Sequence, residues 1–161
     1  MGGATLTLRP LAPEDAVELR RIHATPEVAQ WWEQPEDDFP FEDDEVVRFV
    51  IDIDGEVAGM IQYYEEPDPK YRHAGIDLFV DPAWHGQGVG TEAVRLVARH
   101  LIEERGHHRL TIDPAAGNAA ASRAYEKVGF RRVGVMRAYE RDADGAGWHD
   151  GVLMELVSGG A

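Results

Sequence analysis

The chain has 161 residues, 43% hydrophobic and 29% charged, a profile that fits a soluble globular domain and excludes a disordered chain. It contains no cysteine, which rules out disulfides, thiolate metal sites and a cysteine nucleophile. Sixteen Lys and Arg against 30 Asp and Glu give a formal net charge of −14, which argues against nucleic acid as a partner. No apolar run reaches membrane-span length, so no membrane partner is expected. Met1–Thr5 has no basic-then-apolar leader pattern, and the expected compartment is the cytoplasm.

Thr5 to Arg9 alternates apolar and polar residues like a short strand. Pro13-Glu14-Asp15 reads as a helix start, followed by an apolar stripe of Ala16, Leu19 and Ile22. Thr25-Pro26-Glu27 looks like a second cap, opening a short helix that carries Trp31 and Trp32. Arg48 to Ile53 and Glu56 to Glu65 form a hairpin across Asp54-Gly55. The strand His73 to Val80 enters a glycine-rich turn. A helix then runs from Val89 to about Arg105, with Gly106 at its C-cap. Arg109 to Asp113 reads as a strand, and Asn118 caps a helix ending at Gly129. Arg131 to Arg141 and Trp148 to Val157 are closing strands joined by a turn-rich segment. No linker or repeat is visible. The pattern predicts one α/β domain over residues 1–161, with a mixed sheet and helices on its faces.

The turn Gly86-Gln87-Gly88-Val89-Gly90 offers backbone N–H groups at a helix N-terminus, a setting that suits a phosphate. Its spacing is neither that of a P-loop, since Thr91-Glu92 follows, nor that of a dinucleotide fingerprint. The alternative is a turn that only packs helix on strand. Between Trp31 and Glu45 eight acids occur without a basic residue. They read either as a solvated face or as a funnel for a polycation. Seven histidines show no metal-ligand spacing, and Ser122 lacks a nucleophile elbow, so neither a metal site nor a serine hydrolase is expected.

The segment Asn118-Ala119-Ala120-Ala121-Ser122-Arg123-Ala124-Tyr125-Glu126-Lys127-Val128-Gly129-Phe130 resembles a signature of the Gcn5-related (GNAT) N-acetyltransferases. The loop His85 to Gly90 is similar to that family's acetyl-CoA pyrophosphate loop, with His85 departing from the usual Gln or Arg. The resemblance implies the GNAT fold, a mixed, mostly antiparallel central sheet flanked by helices. Within the family, Trp31-Trp32, Gly75-Ile76-Asp77, Asp113-Pro114 and Asp150-Gly151 resemble aminoglycoside 6′-N-acetyltransferases.

The resemblance implies that His85, Gly86, Gln87, Gly88, Val89, Gly90 and Thr91 hold the pyrophosphate of acetyl-CoA. The edge of Leu78, Phe79 and Val80 would take the pantetheine arm as an added strand does. Asn118 would face that arm, a role compatible with simple N-capping. Tyr125 would be the general acid for the thiolate, or else a core aromatic. Asp77 would be the general base. Asp113, the second choice for base, would anchor substrate with Asp150, and Trp31 and Trp32 would line the acceptor site. The expected partner is a cationic amine, with an aminoglycoside as the first reading. A GNAT enzyme for another amine (a polyamine, a hydroxylated lysine, a protein lysine or N-terminus) is the second, and a non-catalytic acyl-CoA sensor the third. Monomer and homodimer remain open.

Overall fold

A computed structural model of the chain describes residues 6–159. Seven strands form one sheet in the order β1-β2-β3-β4-β5-β7-β6. They are β1 (Leu6–Pro10), β2 (Val47–Ile53), β3 (Glu56–Glu66), β4 (His73–Val80), β5 (Arg109–Ile112), β6 (Arg131–Arg141) and β7 (Trp148–Val157). Four helices accompany them: α1 (Ala16–His23), α2 (Pro26–Ala29), α3 (Val89–Glu103) and α4 (Ala119–Val128). All neighbouring strands pair antiparallel except β4 and β5, which are parallel and joined through α3. Parallel neighbours need such a crossover, because a tight turn cannot reverse the chain twice. None of the described helices is long and apolar enough to cross a membrane.

The alternation of side chains along each strand divides the interior into two cores. Ile51, Ile61 and Val80 point to the face covered by α3 and α4, where Val94, Val97, Leu101 and Phe130 complete the larger core. Val50, Met60 and Phe79, one residue out of step, point to the other face and meet Leu19, Ile22, Val28 and Phe39. A sheet buried on both faces explains the near-continuous apolar runs of its central strands.

The parallel junction is short. β4 and β5 are in register only at Ala74–Leu110 and Gly75–Thr111. Beyond Ile112 the chain follows β7 instead. Val152 donates its N–H to the Pro114 carbonyl at 2.9 Å, Ala116 donates to the Asp150 carbonyl at 2.8 Å, and Ala115 bridges Gly151. Residues 76–80 of β4 therefore have β3 on one side and no strand on the other. That gap holds the site.

The sequence reading holds for every long element and needs adjustment at short ones. β1 is displaced one residue from the expected strand, and Thr5 lies outside the described residues. Pro13–Asp15 forms a 3-10 turn ahead of α1. Thr25 makes no side-chain cap; its Oγ1 donates to the Ile22 carbonyl at 2.7 Å and closes α1 instead. The helix expected to carry the two tryptophans ends at Ala29, because Trp32 is drawn into an aromatic cluster with His23 and Phe79 that a continuing helix could not reach. Glu104 and Arg105 likewise fall past the end of their helix. α3 stops at Glu103, and Gly106 takes the left-handed conformation (φ +74°) that closes it, with the His107 N–H donating to the Leu101 carbonyl.

Leu101 is fully buried in the larger core, whereas Val133 on the edge strand β6 is 53% exposed. Leu101→Ala is expected to cost about 2–5 kcal/mol and Val133→Ala under about 0.5. Urea unfolding midpoints at an unchanged slope provide the measurement.

Candidate active site

The glycine turn lies at the mouth of the gap. Gly86 and Gly88 both have φ of +77°, and Gly88 is the N-cap of α3. The first helical hydrogen bond runs from the Glu92 N–H to the Gly88 carbonyl. The N–H groups of Gly88, Val89, Gly90 and Thr91 thus precede the ladder, at the positive end of the helix dipole. A Cβ built on Gly86 or Gly88 would meet nothing within 4 Å, so the space in front of the turn is open. Four outward N–H groups before an open cradle fit a pyrophosphate. His85 does not extend into that cradle. Its Nε2 sits 2.8 Å from the Val80 carbonyl and ties the turn to the end of β4.

Behind the turn a cavity of about 610 Å³ runs between β4 and α4. Leu78, Phe79, Val80, Trp84, Asn118 and Tyr125 contribute to its wall. The Asn118 Oδ1 accepts the Ala121 N–H at 3.2 Å, so the residue caps α4 while also lining the cavity. Arg123 and Lys127, one helical turn apart on α4, add positive charge to the wall. The expected general acid, Tyr125, is 8% exposed, and its hydroxyl makes no hydrogen bond with another described residue. Burial, and then the nearby Asp77 and Asp113 carboxylates, push its pKa far above the ordinary phenol value. It stays protonated at any physiological pH.

Asp77 stands where this cavity meets a second one of about 530 Å³. Its carboxylate opens onto the cleft but is enclosed by the surrounding walls. That desolvation, with the charges of Asp113 and Glu140, raises its pKa to about 7. One oxygen, Oδ1, accepts the Leu78 N–H at 2.9 Å, which fixes the carboxylate and occupies one of the gap-facing donors of β4. Asp113, just past β5, is also raised by desolvation; its Oδ2 accepts the Tyr139 hydroxyl at 2.6 Å. Asp113 and Glu140 thus both oppose the charge on Asp77, and the Arg48 guanidinium offsets them only in part.

The second cavity is strongly acidic. Glu33, Glu36, Asp38, Glu42, Asp43, Asp77 and Glu140 all line it. Its one guanidinium, Arg48, is consumed by Glu42 at 2.6 Å, Gln62 at 2.8 Å and the Pro40 carbonyl at 2.9 Å. Burial opposes the charge on Glu42, yet Arg48 holds its pKa below the ordinary carboxyl value. The paired tryptophans diverge. Trp32 packs edge-on against Phe79 (5.1 Å between centroids) and His23 (6.0 Å). Trp31 leaves the core to make a T-shaped contact with His149, and the two tryptophans line both cavities.

Nearly all residues singled out in the sequence meet along this cleft: Trp31, Trp32, Asp77 to Val80, His85, Gly86, Gly88 to Thr91, Asp113, Asn118 and Tyr125. Two do not. Gln87 turns back toward the Ala83 carbonyl at 3.3 Å. Asp150 lines neither cavity, because its Oδ1 accepts the Ala138 N–H at 2.8 Å and supports a bulge in β6 where Ala138 has φ of +47°. Sequence reasoning missed Trp84, Glu140 and Tyr139, as well as the Arg123–Lys127 pair. The i,i+4 spacing of that pair beside Asn118 was a usable signal. Glu140 and Tyr139 gave none, since only the bulge aims them inward.

The cleft therefore joins a glycine turn with unpaired N–H groups and a wall carrying Arg123 and Lys127 to an acid-lined pouch. Known proteins of similar sequence are acetyltransferases. The chain is 28% identical over 156 residues to the aminoglycoside N(6′)-acetyltransferase type 1 of Klebsiella pneumoniae, covering 82% of this chain and 77% of that protein. It is 26% identical over 136 residues to the spermidine N(1)-acetyltransferase of Escherichia coli strain K12, covering 78% and 73%. Its fold superposes on the spermidine N-acetyltransferase of Vibrio cholerae, solved with CoA and spermine, with a TM-score of 0.81 at 20% identity over 96% of each chain. Residues 10–130 match the acetyltransferase (GNAT) family, whose members use acetyl-CoA, and the chain belongs to that family.

Proposed function

We propose that this N-acetyltransferase acetylates a primary amine of a polycationic small molecule, with the 6′-amine of an aminoglycoside as the preferred acceptor. The observation that carries the reading is the meeting of the two cavities at Asp77, with phosphate-binding groups on one side and seven carboxylates on the other. An acidic pouch attracts and pairs with ammonium groups, and the Trp31 indole offers a flat face for a sugar ring. The pouch volume falls in the range of sites for drug-sized ligands. A linear polyamine is the second reading, supported by the Escherichia coli relative. The whole chain acts in this reading as one domain.

Bound acetyl-CoA supplies a thioester whose carbonyl carbon the amine attacks, so that a C–N bond forms and the C–S bond breaks. The turn from Gly86 to Thr91 holds the pyrophosphate and the open edge of β4 receives the pantetheine arm. Asp77 takes the proton from the acceptor ammonium. A base with a pKa of about 7 is matched to that task near neutrality, and the fixed Oδ1 leaves Oδ2 to face the amine. Tyr125, kept protonated by its surroundings, donates its proton to the departing sulfur. It is restored by the second proton, which the attacked nitrogen gives up as it becomes an amide, while Asp77 releases its proton to solvent. Asp113 and Glu140 anchor the ammonium beside Asp77.

Thiol release with acetyl-CoA tests the acceptor. Turnover is expected with kanamycin-type drugs bearing a free 6′-amine and none with 6′-hydroxyl analogues; turnover of spermidine alone would transfer the assignment to the second reading. Tyr125→Phe is expected to leave the KM for acetyl-CoA unchanged and lower kcat by about a hundredfold, and an unaltered kcat excludes the acid role. For the base, kcat/KM of the native enzyme is expected to climb with pH to a plateau above about 7, a rise that Asp77→Asn abolishes. The same substitution has a stability signature. The folded protein retains the Asp77 proton up to about 7, while the unfolded chain releases it near 3.8, so ionisation across that window weakens folding. Asp77→Asn is expected to raise the melting temperature above about pH 7 and leave it unchanged below 3.8; equal effects at both ends would contradict the raised pKa.

A further inference from the structure

His149 lies on β7 with Glu140 as its register partner on β6. Its Nε2 is 3.0 Å from Glu140 Oε1 and its Nδ1 is 2.9 Å from Asp142 Oδ1. A neutral imidazole has one donor and one acceptor nitrogen, so it can satisfy only one of these carboxylates. The doubly protonated ring satisfies both. Burial works against that charge, but the two carboxylates outweigh it and raise the pKa above the ordinary histidine value. Asp142 and Glu140 are the carboxylates that face the ring, and the third neighbour carries no titratable group: Trp31 makes a T-shaped contact with it, with centroids 6.1 Å apart and planes at 75°.

This constellation reaches into the cleft on both of its arms. Glu140 and Trp31 each line both cavities. With Oε1 held by His149, the second carboxylate oxygen of Glu140 has no partner among the described residues. On its far side the Trp31 indole abuts Gly117 in the loop before α4, where an added Cβ would lie 3.4 Å from Cη2. The β6–β7 turn is shaped for the same end. The Asp142 N–H donates to the Gly147 carbonyl at 2.8 Å, and a Cβ on Gly147 would come within 2.9 Å of Asp142 Oδ2. The turn returns the Asp142 carboxylate to the ring.

We propose that His149 is a positioning residue for the acceptor: its ring holds the Glu140 carboxylate and the Trp31 indole as two walls of the junction between the cavities. The proposal rests on the reading that this junction receives the acceptor amine. Two segments more than 100 residues apart, the stretch after α2 and the β6–β7 hairpin, meet at this one side chain. Without it, Glu140 and the indole regain rotamer freedom that the acceptor must then remove on binding. The thioester end of the cleft is untouched. A simple staple of the hairpin would act differently, changing stability without favouring one substrate over the other.

Steady-state kinetics of His149→Ala with kanamycin, or with spermidine if that is the amine turned over, tests the proposal. Loss of one charge-assisted contact predicts an acceptor KM raised about tenfold, with kcat and the KM for acetyl-CoA unchanged. His149→Arg, which keeps a permanent two-sided donor, is expected to recover most of the affinity. A proton NMR titration checks the contact itself: the His149 pKa lies above about 6.5 and falls in Glu140→Gln. A rise in the acceptor KM alone separates positioning from a staple, which would change stability and not that KM. An acceptor KM within about twofold of the native value, or a parallel loss of all three kinetic parameters, overturns the proposal. A native enzyme that neither binds nor acetylates these amines removes the functional reading instead, and the proposal with it.

Discussion

The early parting of β4 and β5 is the constraint on which the rest of this molecule depends. Two registered pairs are enough to fix the parallel crossover through α3, and the strands then separate because residues 113–116 pair with β7. A sheet that stayed closed would bury the backbone of residues 76–80 in its ladder and leave no room for a ligand. The opening also sets the direction of α3. Its N-terminus starts at the mouth of the gap, so the unpaired N–H groups of the glycine turn face the space the strands have vacated. Asp77 and Tyr125 owe their shifted acidities to the same geometry, since the walls of the gap crowd both groups and bring the Asp113 carboxylate near each.

Charge along the cleft is sorted rather than averaged. A chain with net charge −14 is a poor general host for the phosphates of a nucleotide-bearing donor. Local features answer this: four backbone N–H groups, a helix dipole and the Arg123–Lys127 pair stand at one end. The acids that make up the excess gather at the other, where Arg48 is neutralised within the protein and offers nothing to repel a cation. In the proposed reaction this order keeps each substrate in its own half. The acceptor loses its proton where desolvation and the Asp113 and Glu140 charges make Asp77 a better proton holder than an ordinary carboxylate.

Much of this was legible in the sequence because it is local. Asn118 at the head of its helix, Gly106 and Gly129 after apolar stripes, and Asp54-Gly55 between alternating runs each carry their own turn or cap chemistry, and the elements fall where these residues put them. The glycine turn and Tyr125 belong to the same class. What could not be read was set by distant partners. Trp31 and Trp32 look identical in sequence, yet one is claimed by His149 and the other by His23 and Phe79. Asp150 resembled a substrate anchor, but a backbone N–H twelve residues earlier takes its carboxylate. Glu140 enters the cleft only because a bulge around Ala138 breaks the alternation that would otherwise place it.

The two cores on opposite faces of the sheet have an evolutionary consequence. The larger one, beneath α3 and α4, supports the glycine turn and Tyr125; the smaller, beneath α1 and α2, supports Trp32 and leads into the acid-rich segment. The central strands contribute alternate side chains to each. Substitutions that remodel the acid-rich segment for a different amine therefore strain the smaller core and leave the donor half intact. A scaffold partitioned in this way can be retuned for new acceptors by drift in one part of its length, while the costly part of the apparatus is inherited unchanged.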